Sequence, residues 1–168
     1  EDSGINEKIF AAADENTRKT LLYRVSQHVY DGSFIPPESG NFISDQNLFN
    51  YQAKVIKDLA EEESCVVIGR CADYVLKDYP NVVSVFVHAS PEYCLKQAIE
   101  RGAHIGKDVD KFIQKTDKYR GEYYKYYTGR EWNDARNYDL CLNSEKLGFQ
   151  GCVDAIRDYI RIRFGEVK

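Results

Sequence analysis

Two stretches of the chain set arginine beside carboxylate at spacings suited to a phosphate group. The first is Gly69-Arg70-Cys71-Ala72-Asp73. It follows Cys65-Val66-Val67-Ile68-Gly69, a short β-branched run that reads as a strand buried on both faces. In open α/β sheets, ligands bind just beyond the carboxyl ends of such strands. Arg70 offers a rigid fork of N–H donors that matches phosphate oxygens. Asp73 lies one turn on, where it can orient the arginine or accept from a base or sugar. An Arg–Asp pair capping a strand-to-helix turn is the plainer alternative, and the position at the strand end favours binding.

The second stretch runs from Asp117 to Arg130. Asp117 and Arg120 are spaced to share a helix face, which favours a working role for Arg120. Tyr119, Tyr123, Tyr124, Tyr126 and Tyr127 cluster beside Arg120 and Arg130. They could line a phosphate and base site, but an amphipathic packing stripe explains them more simply. Arg101, followed by Gly102, ends a helix, where an arginine often only offsets the helix dipole. Trp132 reads as a packing anchor, and Arg130 and Arg136 remain open between structure and function.

Other chemistries find less support. His28, His88 and His104 are scattered, so no metal site is expected. No serine or cysteine has a His-Asp partner arrangement, which argues against nucleophilic catalysis. Neither G-x-x-x-x-G-K-[ST] nor G-x-G-x-x-G occurs in this chain. The net charge of −4 argues against coating DNA or RNA by bulk electrostatics, though a few placed arginines can still hold a small anion. No apolar run approaches the roughly 20 residues that span a bilayer. Cys65, Cys71, Cys94, Cys141 and Cys152 include no C-x-x-C, which reads as reduced thiols in a cytoplasmic protein.

The elements that must position these residues alternate. Helices are expected over 5–13 and 16–30, then a long loop over 31–45. A helix follows from an Asp45 cap to about Ala60, with Leu48, Val55, Ile56 and Leu59 facing inward. After the strand at 65–69 come a short helix over 71–77 and a second buried strand over 82–87. Ser90 and Pro91 then open a helix running to about Arg101. A long polar helix spans Asp108 to about Tyr127. A third strand covers Tyr138–Asn143, and a closing helix covers Phe149–Arg163 with Val153, Ile156 and Ile160 on one face. This order predicts an α/β fold, a parallel sheet with helices on both faces. The 168 residues fit one domain.

Taken together, Cys65-Val-Val-Ile-Gly-Arg-Cys-Ala-Asp73, Val85-Phe-Val-His-Ala89, Asp117-Lys-Tyr-Arg120, Tyr123-Tyr-Lys-Tyr-Tyr-Thr-Gly129, Trp132 and Asn137-Tyr-Asp-Leu140 with Asn143-Ser144 resemble the cytidylate-kinase-like family, within the P-loop nucleoside monophosphate kinases. The resemblance runs over about residues 46–163 and is weak over the first 45. It implies a P-loop kinase-like three-layer αβα fold, with an acceptor-binding helical region at about 14–60 and an arginine-rich lid at about 101–136. It also implies phosphoryl transfer from ATP with Mg2+ to a nucleoside monophosphate, CMP or dCMP first.

Arg70 stands where the family holds the acceptor phosphate, with Cys71 in place of the family's aspartate and Asp73 two positions later. Asp117 and Arg120 match the family's Asp-x-x-Arg unit. Arg101 matches the arginine that opens the lid, and Arg130 has a loose counterpart. The resemblance thus implies catalytic roles for Arg101, Arg120 and Arg130, and substrate binding by Arg70, Asp73, Asp117 and Arg120. The family's first strand and phosphate loop have no counterpart in this chain. It begins at Glu1 and contains no Met, so that segment is expected upstream in the natural protein. The implied partners are small-molecule nucleotides, with no DNA, RNA or membrane, and a homodimer is left open. Two alternatives remain: a non-catalytic nucleotide-binding or regulatory module, and a P-loop kinase for another small metabolite.

Overall fold

The computed structural model describes Gly32, residues 45–102 and residues 108–165. The helices expected over 5–13 and 16–30, and most of the loop over 31–45, lie outside the described residues. The chain divides into two compact units, Glu1–Tyr79 with Glu122–Glu131, and Pro80–Gly121 with Trp132–Lys168.

The first unit is built on α1 (Asp45–Glu62) and α2 (Ala72–Val75). The expected start at Asp45 holds. Leu48, Phe49, Ala53 and Ile56 recur at helical spacing and are buried, together with Asn47 and Asn50. Gln46 Nε2 donates to Asn50 Oδ1 at 3.1 Å, which satisfies part of this buried amide cluster. The inward face is rotated from expectation. Val55 is exposed and Leu59 half-buried, because the buried stripe begins at Asn47 and runs along the 49-53-56 line.

The run Cys65–Gly69 departs further from expectation. It is irregular rather than a strand, and among the described residues no strand pairs with it. Val66 and Ile68 are 92% and 90% exposed. A β-branched apolar run carries strand propensity, but the ladder that makes it a strand comes from a neighbour.

The second unit holds the sheet. β1 (Val85–His88) and β2 (Leu140–Asn143) pair in parallel, Val85 opposite Leu140 and His88 opposite Asn143. Both strands are shorter than the apolar runs suggest, and β1 is half-buried to exposed. Asp139 fixes their entry. Its Oδ2 accepts from Ser84 N at 2.8 Å and from Ser84 Oγ at 3.0 Å, and Arg163 Nη1 lies 3.2 Å from Oδ1.

Between the strands, α3 (Pro91–Glu100) starts as its sequence dictates, with Pro91 at the first position and Ser90 Oγ accepting from Tyr93 N at 3.2 Å. α4 (Val109–Thr128) follows. It contributes its residues up to Gly121 to this unit and Glu122–Thr128 to the first. α5 (Ser144–Phe164) begins five residues earlier than expected, with Asn143 as its cap, and it kinks at Gly148, where φ is +67°. Val153 is exposed rather than inward, and Cys152 is the buried residue beside it. Mixed helices with a small parallel sheet agree with the α/β expectation at that level.

Candidate functional site

In the first unit, the residues after Gly69 form a tight left-handed turn. Gly69, Arg70 and Cys71 have φ of +74°, 55° and 54°. Glycine enters this region freely, but arginine and cysteine do so at a cost of about 1–2 kcal/mol each. Ala72 N donates to Gly69 O at 3.1 Å and closes the turn. Cys71 is 4% exposed and caps α2 with its backbone alone. Burial, then the negative charge of Asp73, push the Cys71 thiol far up despite the opposing charge of Arg70, so it stays protonated.

Asp73 sits in the first turn of α2 and is half-buried. Tyr124 Oη donates to Asp73 Oδ2 at 2.6 Å. Burial raises the Asp73 carboxyl above its ordinary value, while the Tyr124 hydroxyl, nearby backbone N–H groups and the charge of Arg130 oppose that rise. Asp73 therefore feels the positive charge of Arg130, whereas that of Arg70 acts on Cys71. The sequence suggested Arg70 as the arginine that Asp73 would orient.

Arg130 reaches this place because of how α4 ends. Gly129 has φ +70°, and its N–H bonds Lys125 O at 2.9 Å, which is the glycine stop expected of a helix. Thr128 Oγ1 donates to Tyr124 O at 2.7 Å and accepts from Arg130 N at 3.1 Å. The Arg130 guanidinium then lies 5.0 Å from the centroid of the Tyr74 ring, within cation–π range.

The tyrosine stripe divides by role. Tyr127 is 1% exposed and stacks on Phe49 with centroids 4.0 Å apart and planes at 10°. Tyr123 packs edge-on against Phe49 at 6.2 Å. These two build a core, as the packing reading expects. Tyr124 is also buried, at 3% exposure, yet its hydroxyl is spent on Asp73. Helical periodicity places Tyr124 off the 119-123-126/127 face and offers no signal for this contact.

In the second unit, Arg120 Nη1 lies 3.6 Å from Asp117 Oδ1, and both side chains are more than half exposed. The shared helix face is confirmed, and such an exposed pair contributes little to stability. Arg101 closes α3 ahead of Gly102, and its guanidinium lies 4.5 Å from the Phe149 ring centroid. Arg136 forks onto Asp134, with Nη2 to Oδ2 at 2.6 Å, and holds the Asp134 carboxyl down at about 2. That pairing gives Arg136 a structural task within its own turn. Trp132 meets Phe86 edge-on at 5.6 Å, and its backbone oxygen accepts from Tyr138 Oη at 2.7 Å, which makes it the packing anchor expected.

Among the described residues, no group of three or more His, Cys, Asp or Glu side chains could hold a metal ion, and no helix is long and apolar enough to cross a membrane.

The chain is a member of the cytidylate kinase-like family, whose profile matches residues 1–146. The match includes the first 45 residues, where the sequence resemblance is weak, and stops near the start of α5. The fold is similar to the crystal structure of an uncharacterized protein from Eubacterium ventriosum ATCC 27560, with a TM-score of 0.64 and 34% identity. That similarity covers 70% of this chain and 74% of the other. No curated protein matches the chain.

Proposed function

We propose that this protein transfers a phosphoryl group from Mg-ATP to a nucleoside monophosphate, with CMP or dCMP as the acceptor. The observation that carries this reading is the Arg70 turn, an arginine in a left-handed backbone near a half-buried Asp73, in a chain of the cytidylate kinase-like family. Phosphoryl transfer asks a protein mainly for positioning and for positive charge where negative charge gathers.

Arg70 binds the acceptor phosphate. Asp73 accepts from the acceptor nucleoside or steadies the arginine beside it, and Arg130 adds positive charge at the same turn. In the second unit, Asp117 orients Arg120, and Arg120 and Arg101 offset the charge of the transferring group.

The residues described here fit an acceptor phosphate. They offer no glycine-rich cradle for the triphosphate and no cage for a metal, so no step is assigned through ATP or Mg2+. When bound, Mg-ATP would supply the phosphoryl group.

The test is ADP formation from Mg-ATP by the natural gene product, with CMP, dCMP, UMP and AMP offered as acceptors. Turnover with CMP or dCMP well above the others supports the proposal. Silence with all four contradicts it.

A further inference from the structure

We propose that Tyr124 is a positioning residue for the Arg70 turn. Its hydroxyl, donated to Asp73, anchors the strained backbone of Gly69–Cys71 in the form that presents Arg70. The inference rests on the reading of Arg70 as the arginine that binds the acceptor phosphate.

Arg70 and Cys71 are the two non-glycine residues with positive φ among those described, and they are adjacent. A backbone held in this region persists only where its surroundings over-determine it. On the upstream side, Val66, Ile68 and Gly69 are exposed and hold the turn weakly. Downstream, Cys71, Ala72, Val75 and Leu76 are buried. Cys71 O accepts from Tyr74 N at 3.0 Å and from Val75 N at 2.9 Å, which ties the turn to α2.

α2 is too short to be stable alone and is held by its buried Ala72 and Val75 together with its polar partners. The Tyr124 to Asp73 hydrogen bond joins α2 to a side chain 51 positions away in sequence. Tyr124 is itself immobilised. It is 3% exposed, and its backbone oxygen is bound by Thr128 Oγ1. A phenol oxygen donating to a carboxylate is a charge-assisted bond at its usual short length. Phenylalanine at this position keeps the ring and removes the hydroxyl that makes this bond.

The experiment compares wild type with Tyr124→Phe in three readouts. Three-bond Hα–C′ couplings, large at positive φ and small at negative φ, report the backbone at Arg70 and Cys71, calorimetric titration reports affinity for CMP, and a thermal melt reports global folding. With Tyr124→Phe folded, both couplings are expected to leave the left-handed value and average across conformations. CMP affinity is expected to fall about 10- to 150-fold, the range for a lost hydrogen bond to a charged group. A merely structural tyrosine would lower the melting temperature while leaving the couplings and the affinity ratio alone, and that result overturns the inference.

If the wild type does not bind CMP, the acceptor assignment fails, while the couplings still decide the role of Tyr124. Should Tyr124→Phe not fold, Asp73→Ala removes the same bond from its more accessible end. Unchanged couplings in that variant would likewise overturn the inference.

Discussion

Replacing Phe49 by alanine should unfold the platform on which the Tyr123–Tyr127 segment rests. Phe49 is 2% exposed, stacked face to face on Tyr127 at 4.0 Å and touched edge-on by Tyr123. Truncating a buried phenylalanine costs about 3–5 kcal/mol in lost transfer energy and cavity. Two aromatic partners place this site in the upper half of that range. A domain is stable by only about 5–15 kcal/mol, so the loss is about a quarter of the total or more.

With a urea slope of about 2 kcal/mol per molar, the midpoint should fall by about 2 M. Phe49→Leu keeps most of the volume and loses mainly the ring contacts, so it should cost about 1–2 kcal/mol. The single Trp132 lies in the other unit, so far-UV circular dichroism is the appropriate probe. A midpoint shift below about 0.5 M for Phe49→Ala, with the slope unchanged, would refute the reading of these tyrosines as core.

Three other outcomes are expected. Asp73 has a raised carboxyl pKa, chiefly through burial, so its native form binds a proton more readily than its unfolded form. Wild type should therefore gain stability relative to Asp73→Asn as pH falls through the raised value toward the ordinary carboxylate range, and a flat difference between their denaturation curves would count against this. Asp139→Ala removes the acceptor of Ser84 N and Ser84 Oγ and the partner of Arg163, and it should cost about 1–2 kcal/mol by urea titration, discounted because both ion-pair side chains are about a third exposed. Arg120→Ala should remove about 2–4 kcal/mol of transition-state stabilisation, about 30- to 900-fold in turnover with the best nucleotide pair, and unchanged turnover would remove Arg120 from the machinery.

The sequence was most legible where a rule acts within a few residues. Ser90-Pro91 opens α3 because a serine side chain and a proline ring satisfy local geometry without help from the rest of the chain. Thr128-Gly129 closes α4 for the same reason and thereby sets Arg130. Asp117 and Arg120 pair because helical spacing puts them together.

The less legible features depend on distant partners. Cys65–Gly69 has the composition of a buried strand, but pairing is supplied by another segment, and composition cannot report that. Asp73 meets Tyr124 across 51 positions, beyond the reach of any spacing argument. The left-handed Arg70 and Cys71 carry no mark, because sequence rules look for glycine there and find only Gly69. The positive charge of Arg130 reaches Asp73 for the same non-local reason.

The most direct test of the account is calorimetric titration with CMP and with cytidine, in wild type and in Arg70→Ala. The account predicts that wild type binds CMP at least about tenfold more tightly than cytidine, because the phosphate is what Arg70 holds, and that Arg70→Ala loses most of that preference while still binding cytidine. An equal preference in the two proteins would contradict the assignment of the acceptor phosphate to the Arg70 turn.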